Sequence, residues 1–118
     1  MSSGNKAIVE KVNAAFARNS VEDFLALCAE DVAFTMVGTK TVTGKEPIRA
    51  WMGSMDMDPP VISVADTIAE GERVTSHGTM TMKNKEGIVE HFAYCDIYRL
   101  SGGKVAELTA FMMKAEPR

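Results

Sequence analysis

The order of hydrophobic and polar residues predicts three helices in the first half of the chain. Between residues 5 and 18, apolar side chains recur every three or four positions, which is the spacing of one buried helix face. A second helix begins after Ser20, whose hydroxyl is a good N-cap, and ends near Glu30. A third helix begins at Gly44, because Pro47 is tolerated in a first helical turn.

Strand patterns dominate the remainder of the chain. Turn residues separate six such segments: 32–37, 40–43, 61–68, 73–82, 87–100 and 104–113. Helices that precede an antiparallel sheet predict an α+β fold with the helices packed on one face of the sheet. We therefore expect a single domain over residues 1–118, in which a cone-shaped, curved antiparallel sheet wraps three N-terminal helices. The apolar interior of such a cone is a typical small-molecule site.

Composition narrows the range of partners and cofactors. The net charge is −3 with a pI near 5.4, and there is no basic stripe, so neither nucleic acid nor an anionic membrane is an expected partner. No apolar stretch reaches membrane-spanning length, which predicts a cytoplasmic protein. Cys28, on the second helix, and Cys95 are interpreted as buried free thiols. No motif with metal-ligand spacing occurs, and no cofactor is expected.

One carboxyl lies on a strand face that is otherwise apolar or aromatic. In the segment 92–100, alternation places Phe92, Tyr94, Asp96, Tyr98 and Leu100 on the same side. Burial of an unpaired charge is costly, so such a carboxyl raises its pKa and stays neutral. A neutral carboxylic acid can donate a hydrogen bond to a carbonyl oxygen. The alternative is a carboxylate that pairs with a neighbouring strand or lies at the rim of the sheet.

Four short stretches together are similar to a known superfamily. They are Ala29-Glu30-Asp31-Val32-Ala33-Phe34, then residues 43–51 (TGKEPIRAW), then Asp96-Ile97-Tyr98-Arg99-Leu100, and finally Gly103-Lys104-Val105-Ala106-Glu107. With their order along the chain, they resemble the nuclear transport factor two-like superfamily, in its SnoaL-like and ketosteroid-isomerase-like branch. The resemblance implies the cone fold and a homodimer formed through the outer sheet face. Because this fold hosts enzymes, binding proteins and transport factors, it does not imply one function.

The resemblance transfers only one of three catalytic roles. Ketosteroid isomerases keep one aspartate protonated, so that its neutral carboxylic acid donates a hydrogen bond to the oxyanion. Asp96 matches the position of that aspartate. The position of the second donor, a tyrosine, is held by Val12, and that of the catalytic base is held by Met36. Neither side chain can perform those roles. The charged residues of limonene epoxide hydrolases are likewise replaced, with Ala110 at one of those positions.

Several other residues are candidates for the site. His77 either faces the cavity and exchanges protons with Asp96 or is a half-exposed strand histidine. Tyr94 or Tyr98 either forms a hydrogen bond with Asp96, supplies a second donor for the ligand oxygen, or only packs against a helix or a dimer partner. Trp51 is either a cavity wall or a core tryptophan.

The remaining candidates are methionines and loop carboxylates. Met36 and Met112 either line the cavity with Val12 and Ala110 or fill the core. Asp56 and Asp58 follow the third helix near the expected cavity mouth, where loop carboxylates are usually solvated.

These observations lead to two hypotheses from different classes. The first is an isomerase-like or cyclase-like enzyme that acts on an apolar ketone, with Asp96 as a neutral oxyanion donor and with His77 or a loop carboxylate moving the proton. The second is a non-catalytic module that binds an apolar small molecule. A role in protein interaction through the exposed sheet is a third option.

Overall fold

The computed structural model describes residues 2–54 and 58–115. These residues form three helices and six strands, and the third helix lies between the second and third strands. The elements in chain order are α1 Ser2–Ala17, α2 Val21–Ala26, β1 Cys28–Met36, β2 Lys40–Thr43, α3 Lys45–Gly53, β3 Val61–Glu70, β4 Arg73–Lys83, β5 Val89–Ser101 and β6 Lys104–Lys114. No helix in these ranges is long and apolar enough to cross a membrane.

The strands form one curved sheet in the order β2-β1-β6-β5-β4-β3. The predicted α+β cone is confirmed, but the sheet is mixed and not wholly antiparallel. Strands β3 to β6 form an antiparallel meander, and β6 returns beside β1 in the same direction, so that this one pair is parallel. Breaks in register occur in three of the strand pairs, and such bulges bend and twist a sheet.

The second helix is shorter than its sequence pattern predicts. Ser20 caps it as expected, because its hydroxyl accepts a hydrogen bond from the backbone N–H of Asp23. The helix ends at Ala26, and Cys28, expected on the helix, is instead the first residue of β1. The backbone N–H of Val105 donates to the carbonyl of Leu27, which starts the β1–β6 ladder at that point. Pairing with β6 therefore overrides the helical spacing of this segment.

The hydrophobic core lies between the helices and the concave face of the sheet. Val9, Val12 and Ala15 form the buried face of α1, at the helical spacing that the sequence shows. Opposite them, alternate residues of β5 and β6, such as Tyr98 and Leu108, are almost completely buried. The concave face is therefore the inner face that any internal cavity must share.

A close backbone approach helps to curve the sheet beside this face. Strand β3 has a break in register between Val64 and Asp66, opposite Gly78 of β4. A Cβ atom at Gly78 would lie 2.1 Å from the carbonyl oxygen of Ser63, a distance that no side chain tolerates. Glycine is thus required here, since only a residue without a side chain lets the bulged strand approach.

Candidate functional site

An apolar cavity of about 230 Å3 opens between the helices and the concave sheet face. Methionines from three strands and α3 form much of its wall: Met36, Met52, Met80, Met82 and Met112. Phe16 of α1 and Phe34 of β1 add aromatic surface. Thioethers adapt to irregular ligands, so this wall suits a small apolar molecule with little shape specificity.

Asp96 is the buried carboxyl in this cavity. It lies on the inner face of β5, opposite Ser76 of β4 and Ala110 of β6, and only 9% of it is exposed. Within the described ranges, no side chain forms an ion pair or a hydrogen bond with its carboxyl. Burial therefore acts unopposed and raises the pKa of Asp96 from 3.8 to about 7. Near neutral pH, Asp96 is thus present both as an acid that donates a hydrogen bond and as a carboxylate.

Two tyrosines flank Asp96 on the same strand face, at different depths. Tyr94 lines the cavity, whereas Tyr98 is completely buried in the core and does not reach the cavity wall. Neither hydroxyl has a hydrogen-bond partner of ordinary geometry among the described residues. Burial raises the pKa of both, with a smaller effect of Asp96 in the same direction. The nearby Ser76 hydroxyl lowers the pKa of Tyr94 and so opposes the effect of burial.

The structure turns His77 away from the cavity, so the interpretation that it pairs with Asp96 is wrong. His77 is exposed and lies opposite Cys95 on the outer sheet face. Its neighbour Ser76 lies opposite Asp96 and is completely buried. The apolar residues of β4, including Val74, share the face of Ser76, and their burial fixes which side of the strand points inward.

The other predicted residues divide between cavity and core. Met36, Met112 and Ala110 line the cavity. Neither Val12 nor Trp51 lies on the cavity wall. Val12 is completely buried in the core. The Trp51 ring packs edge-on against Phe34, with ring centroids 5.2 Å apart, and is partly buried against the same core.

Of the two loop carboxylates, Asp58 lines the cavity and is exposed, while Asp56 lies outside the described residues. In the described part of the chain, no group of three or more His, Cys, Asp or Glu side chains is arranged to hold a metal ion.

Sequence reasoning missed a buried polar pair next to Asp96. The amide of Asn13 on α1 donates from Nδ2 to Oγ of Ser76 at 3.2 Å. Asn13 is 9% exposed and Ser76 is 0% exposed. One signal was present, because Asn13 lies on the apolar stripe of α1 beside Val12, where a polar residue is unusual. Nothing local identified Ser76, since its importance depends on the pairing of β4 with β5.

Comparisons with known proteins agree with this architecture. The family model of the SnoaL-like domain matches residues 9–108. No curated protein sequence matches the chain significantly.

Several solved structures share the fold. An NTF2-like protein from Burkholderia xenovorans LB400 is 23% identical with a TM-score of 0.78, over 96% of this chain and 92% of that one. A protein from Kribbella flavida DSM 17836, provisionally named a ketosteroid isomerase, is 19% identical with a TM-score of 0.80, over 99% and 83%. A provisionally named SnoaL-like polyketide cyclase from Jannaschia sp. CCS1 is 14% identical with a TM-score of 0.84, over 94% and 86%.

At these identities, the solved structures show a common fold and not a common activity. The family match covers most of the chain, and the resemblance to the NTF2-like superfamily is confirmed. The chain belongs to the SnoaL-like domain family.

Proposed function

We propose that this protein binds an apolar ketone in its cavity and promotes proton transfer at the carbon next to the carbonyl group, as an isomerase or cyclase does. The observation that carries this proposal is the isolated carboxyl of Asp96, which has a pKa of about 7 in an otherwise apolar cavity. A buried acid without a countercharge is costly to the fold, and it is therefore a candidate for a functional group.

In the proposed reaction, Asp96 acts in its protonated form. It donates a hydrogen bond to the ketone oxygen, and the side chain of Tyr94 forms part of the same cavity wall. When a proton leaves the adjacent carbon, negative charge moves to this oxygen, where the aligned donor stabilises it more than it stabilises the neutral ketone. Asp58, the exposed carboxylate on the wall, takes the proton and returns it to the same carbon or to a conjugated one. The proton count is unchanged at the end of the cycle.

The comparisons support this proposal only indirectly. Structures of the same fold carry provisional names of ketosteroid isomerase and polyketide cyclase. Both names describe chemistry next to a carbonyl group. For this chain, the activity rests on the isolated acid in the cavity and not on those names.

Exchange of hydrogen for deuterium in a model ketone tests the reaction. We expect the protein to accelerate exchange at the carbon next to the carbonyl of α-tetralone in D2O, followed by proton NMR. The acceleration should fall as the pH rises through about 7, because Asp96 must be protonated to donate. Asp96→Leu should abolish it, whereas Asp31→Asn, which changes an exposed carboxylate on β1, should not. Undiminished exchange in Asp96→Leu would refute the mechanism.

A non-catalytic binding module is the second candidate. Met36 and Val12 occupy the positions at which the resemblance places a base and a tyrosine, and His77 faces outward. Asp58, the remaining carboxylate on the described cavity wall, is exposed. In this case, Asp96 would only orient the ligand. Tight binding of α-tetralone without any accelerated exchange would favour this function over catalysis.

We further propose that the outer sheet face pairs with a second copy of this chain. Large apolar side chains are exposed on that face, including Phe111 at 41% and Met113 at 69%. Burial of such residues favours association. Sedimentation equilibrium should show a dimer that Phe111→Lys dissociates, and a monomer at high concentration would contradict the proposal. A cytoplasmic location stays a prediction.

A further inference from the structure

The charged residues on the described cavity wall are both acids. Asp58 is exposed, and Asp96 is buried. No Lys, Arg or His side chain is among the wall residues that the structure describes. A wall whose charges share one sign attracts ligands of the opposite sign, and apolar surroundings strengthen this attraction because they screen it less than water does. The cavity therefore disfavours an anionic ligand and favours a neutral or cationic one.

Asp96 has no countercharge within the described part of the chain. It lines the cavity and keeps 9% exposure, whereas the hydroxyl oxygens of Tyr94 and Tyr98, two residues away on either side, are inaccessible. No described side chain forms an ion pair or a hydrogen bond with its carboxyl. Ionisation of such a group is costly unless a cation is provided from outside the chain. A cationic ligand would supply the partner that this carboxyl lacks.

The groups that face Asp96 from adjacent elements are uncharged. They are Tyr94 and Tyr98 on its own strand, Ser76 on β4, Ala110 on β6, and Asn13 on α1, which bonds to Ser76. The charged side chains of α1 that the structure describes are exposed: Lys6, Glu10 and Lys11. Burial raises the pKa of both tyrosines, so they stay neutral near neutral pH. The protonation state of Asp96 therefore decides the charge of the buried part of the cavity.

The remainder of the wall suits the apolar body of an organic cation. Phe16 and Phe34 present aromatic rings, and five methionines of the described wall supply thioethers. Aromatic faces attract cations, most strongly where water is excluded, and thioethers adapt to the shape of a carbon skeleton. A metal ion fits less well, because the described residues contain no group of three or more His, Cys, Asp or Glu side chains arranged to hold one.

We propose that the cavity also binds protonated amines that carry an apolar skeleton, with an ammonium N–H donating to the carboxylate of Asp96. This activity goes beyond the proposed function, because it uses Asp96 as an ionised acceptor and not as a neutral donor. It requires no proton transfer at carbon, so it holds equally for an enzyme and for a binding module. An amine of suitable size would compete with a ketone for the same space.

The two ligand classes should respond to pH in opposite directions. The pKa of Asp96 is about 7, and only the carboxylate above that value accepts a hydrogen bond from an ammonium group. Amine affinity should therefore rise as the pH increases through about 7, whereas ketone affinity should fall. By the same linkage, a bound amine should lower the pKa of Asp96 and a bound ketone should raise it.

Four probes with one ring skeleton test the proposal. They are 1-aminotetralin, α-tetralone, tetralin and tetralin-1-carboxylate, which carry a cation, a neutral acceptor, no polar group and an anion. The amine of the first probe, like that of lysine, stays protonated at about pH 8. At that pH, we expect 1-aminotetralin to bind roughly tenfold or more tightly than tetralin, and tetralin-1-carboxylate to bind more weakly than both. Between about pH 5.5 and about pH 8, the affinity for 1-aminotetralin should rise by up to about thirtyfold.

Matched variants assign the effect to Asp96. Asp96→Asn should reduce the affinity for 1-aminotetralin at about pH 8 by roughly tenfold to a hundredfold, remove its dependence on pH, and maintain the affinity for tetralin. Asp58→Asn should change the affinity for 1-aminotetralin less than about threefold, because Asp58 is exposed. Asp31→Asn, on the exposed part of β1, is the control for a general loss of negative charge. Carbon NMR of the Asp96 carboxyl should show its titration moving to lower pH when 1-aminotetralin saturates the protein.

The possible outcomes separate this proposal from the proposed function. The amine site is overturned if wild-type protein binds 1-aminotetralin no more tightly than tetralin at about pH 8, or if Asp96→Asn weakens both ligands equally. A larger effect of Asp58→Asn than of Asp96→Asn would place the amine at the cavity mouth and would also overturn it. Amine binding through Asp96 without accelerated exchange in α-tetralone would support the amine site while the proposed catalysis fails. Accelerated exchange without amine binding would have the reverse meaning.

Discussion

Replacement of Asp96 by asparagine should stabilise the fold, and more so at higher pH. Asp96 has a pKa of about 7 in the folded protein, against 3.8 for an ordinary aspartate. The folded state thus binds this proton more tightly than the unfolded state does. The contribution of Asp96 to stability is therefore greatest below pH 3.8, falls as the pH rises, and reaches a lower constant value above about pH 7. Asparagine has a similar shape and never ionises, so the variant avoids this loss.

The size of the effect follows from the two pKa values. At about pH 8, the ionised carboxyl lowers the free energy of unfolding by roughly 4 kcal/mol relative to a neutral side chain, and at about pH 5.5 by roughly 2 kcal/mol. Asp96→Asn should therefore gain roughly 2 kcal/mol more at the higher pH than at the lower one. Because Asp96 is 9% exposed, solvent screens this effect little.

Urea denaturation of the wild type and the variant at both pH values measures this difference directly. Asp31→Asn changes an exposed carboxylate on β1 and should show no comparable dependence on pH. The reasoning is refuted if Asp96→Asn destabilises the protein at about pH 8, or if its effect is the same at both pH values. Either result would mean that Asp96 is paired or solvated in the folded state, and the neutral-donor mechanism would lose its basis.

Three further predictions concern other parts of the molecule. Ala110→Leu, beside the cavity acid, should weaken α-tetralone binding at least about tenfold, because the larger side chain fills the cavity. His77→Ala, on the outer face, should change the affinity less than about twofold. Equal α-tetralone binding curves for the two variants would contradict this prediction. Gly78→Ala should lower the free energy of unfolding by about 2 kcal/mol or more, because the new Cβ atom meets the backbone of β3. Gly53→Ala, where the Cβ atom points into open space, should not. Thermal denaturation of both variants and the wild type measures this difference. Burial raises the pKa of the Cys28 thiol to about 12, so iodoacetamide at neutral pH should label Cys28 only after unfolding. Peptide mass spectrometry distinguishes Cys28 from the partly buried Cys95, and label on Cys28 in the native protein would disprove this.

Local patterns in the sequence were sufficient for most of the helices and strands and for the inward direction of Asp96. The alternation in β5 placed Asp96 among buried residues, and the structure agrees because side-chain direction in a strand depends only on parity. The helical stripe of α1 and the N-cap at Ser20 were equally local, and both occur as predicted. Such features need only the geometry of a single segment, so one sequence contains them.

The tertiary structure decided the features that depend on how segments pair. Alternation in β4 separated Ser76 from His77 but did not say which residue points inward, and the register with β5 together with the burial of neighbouring apolar residues settled it. Parallel pairing with β6 moved Cys28 from a helix to a strand. The hydrogen bond between Asn13 and Ser76 joins elements 63 residues apart. Long-range contacts of this kind depend on the total burial of the whole fold, which no short window of sequence records.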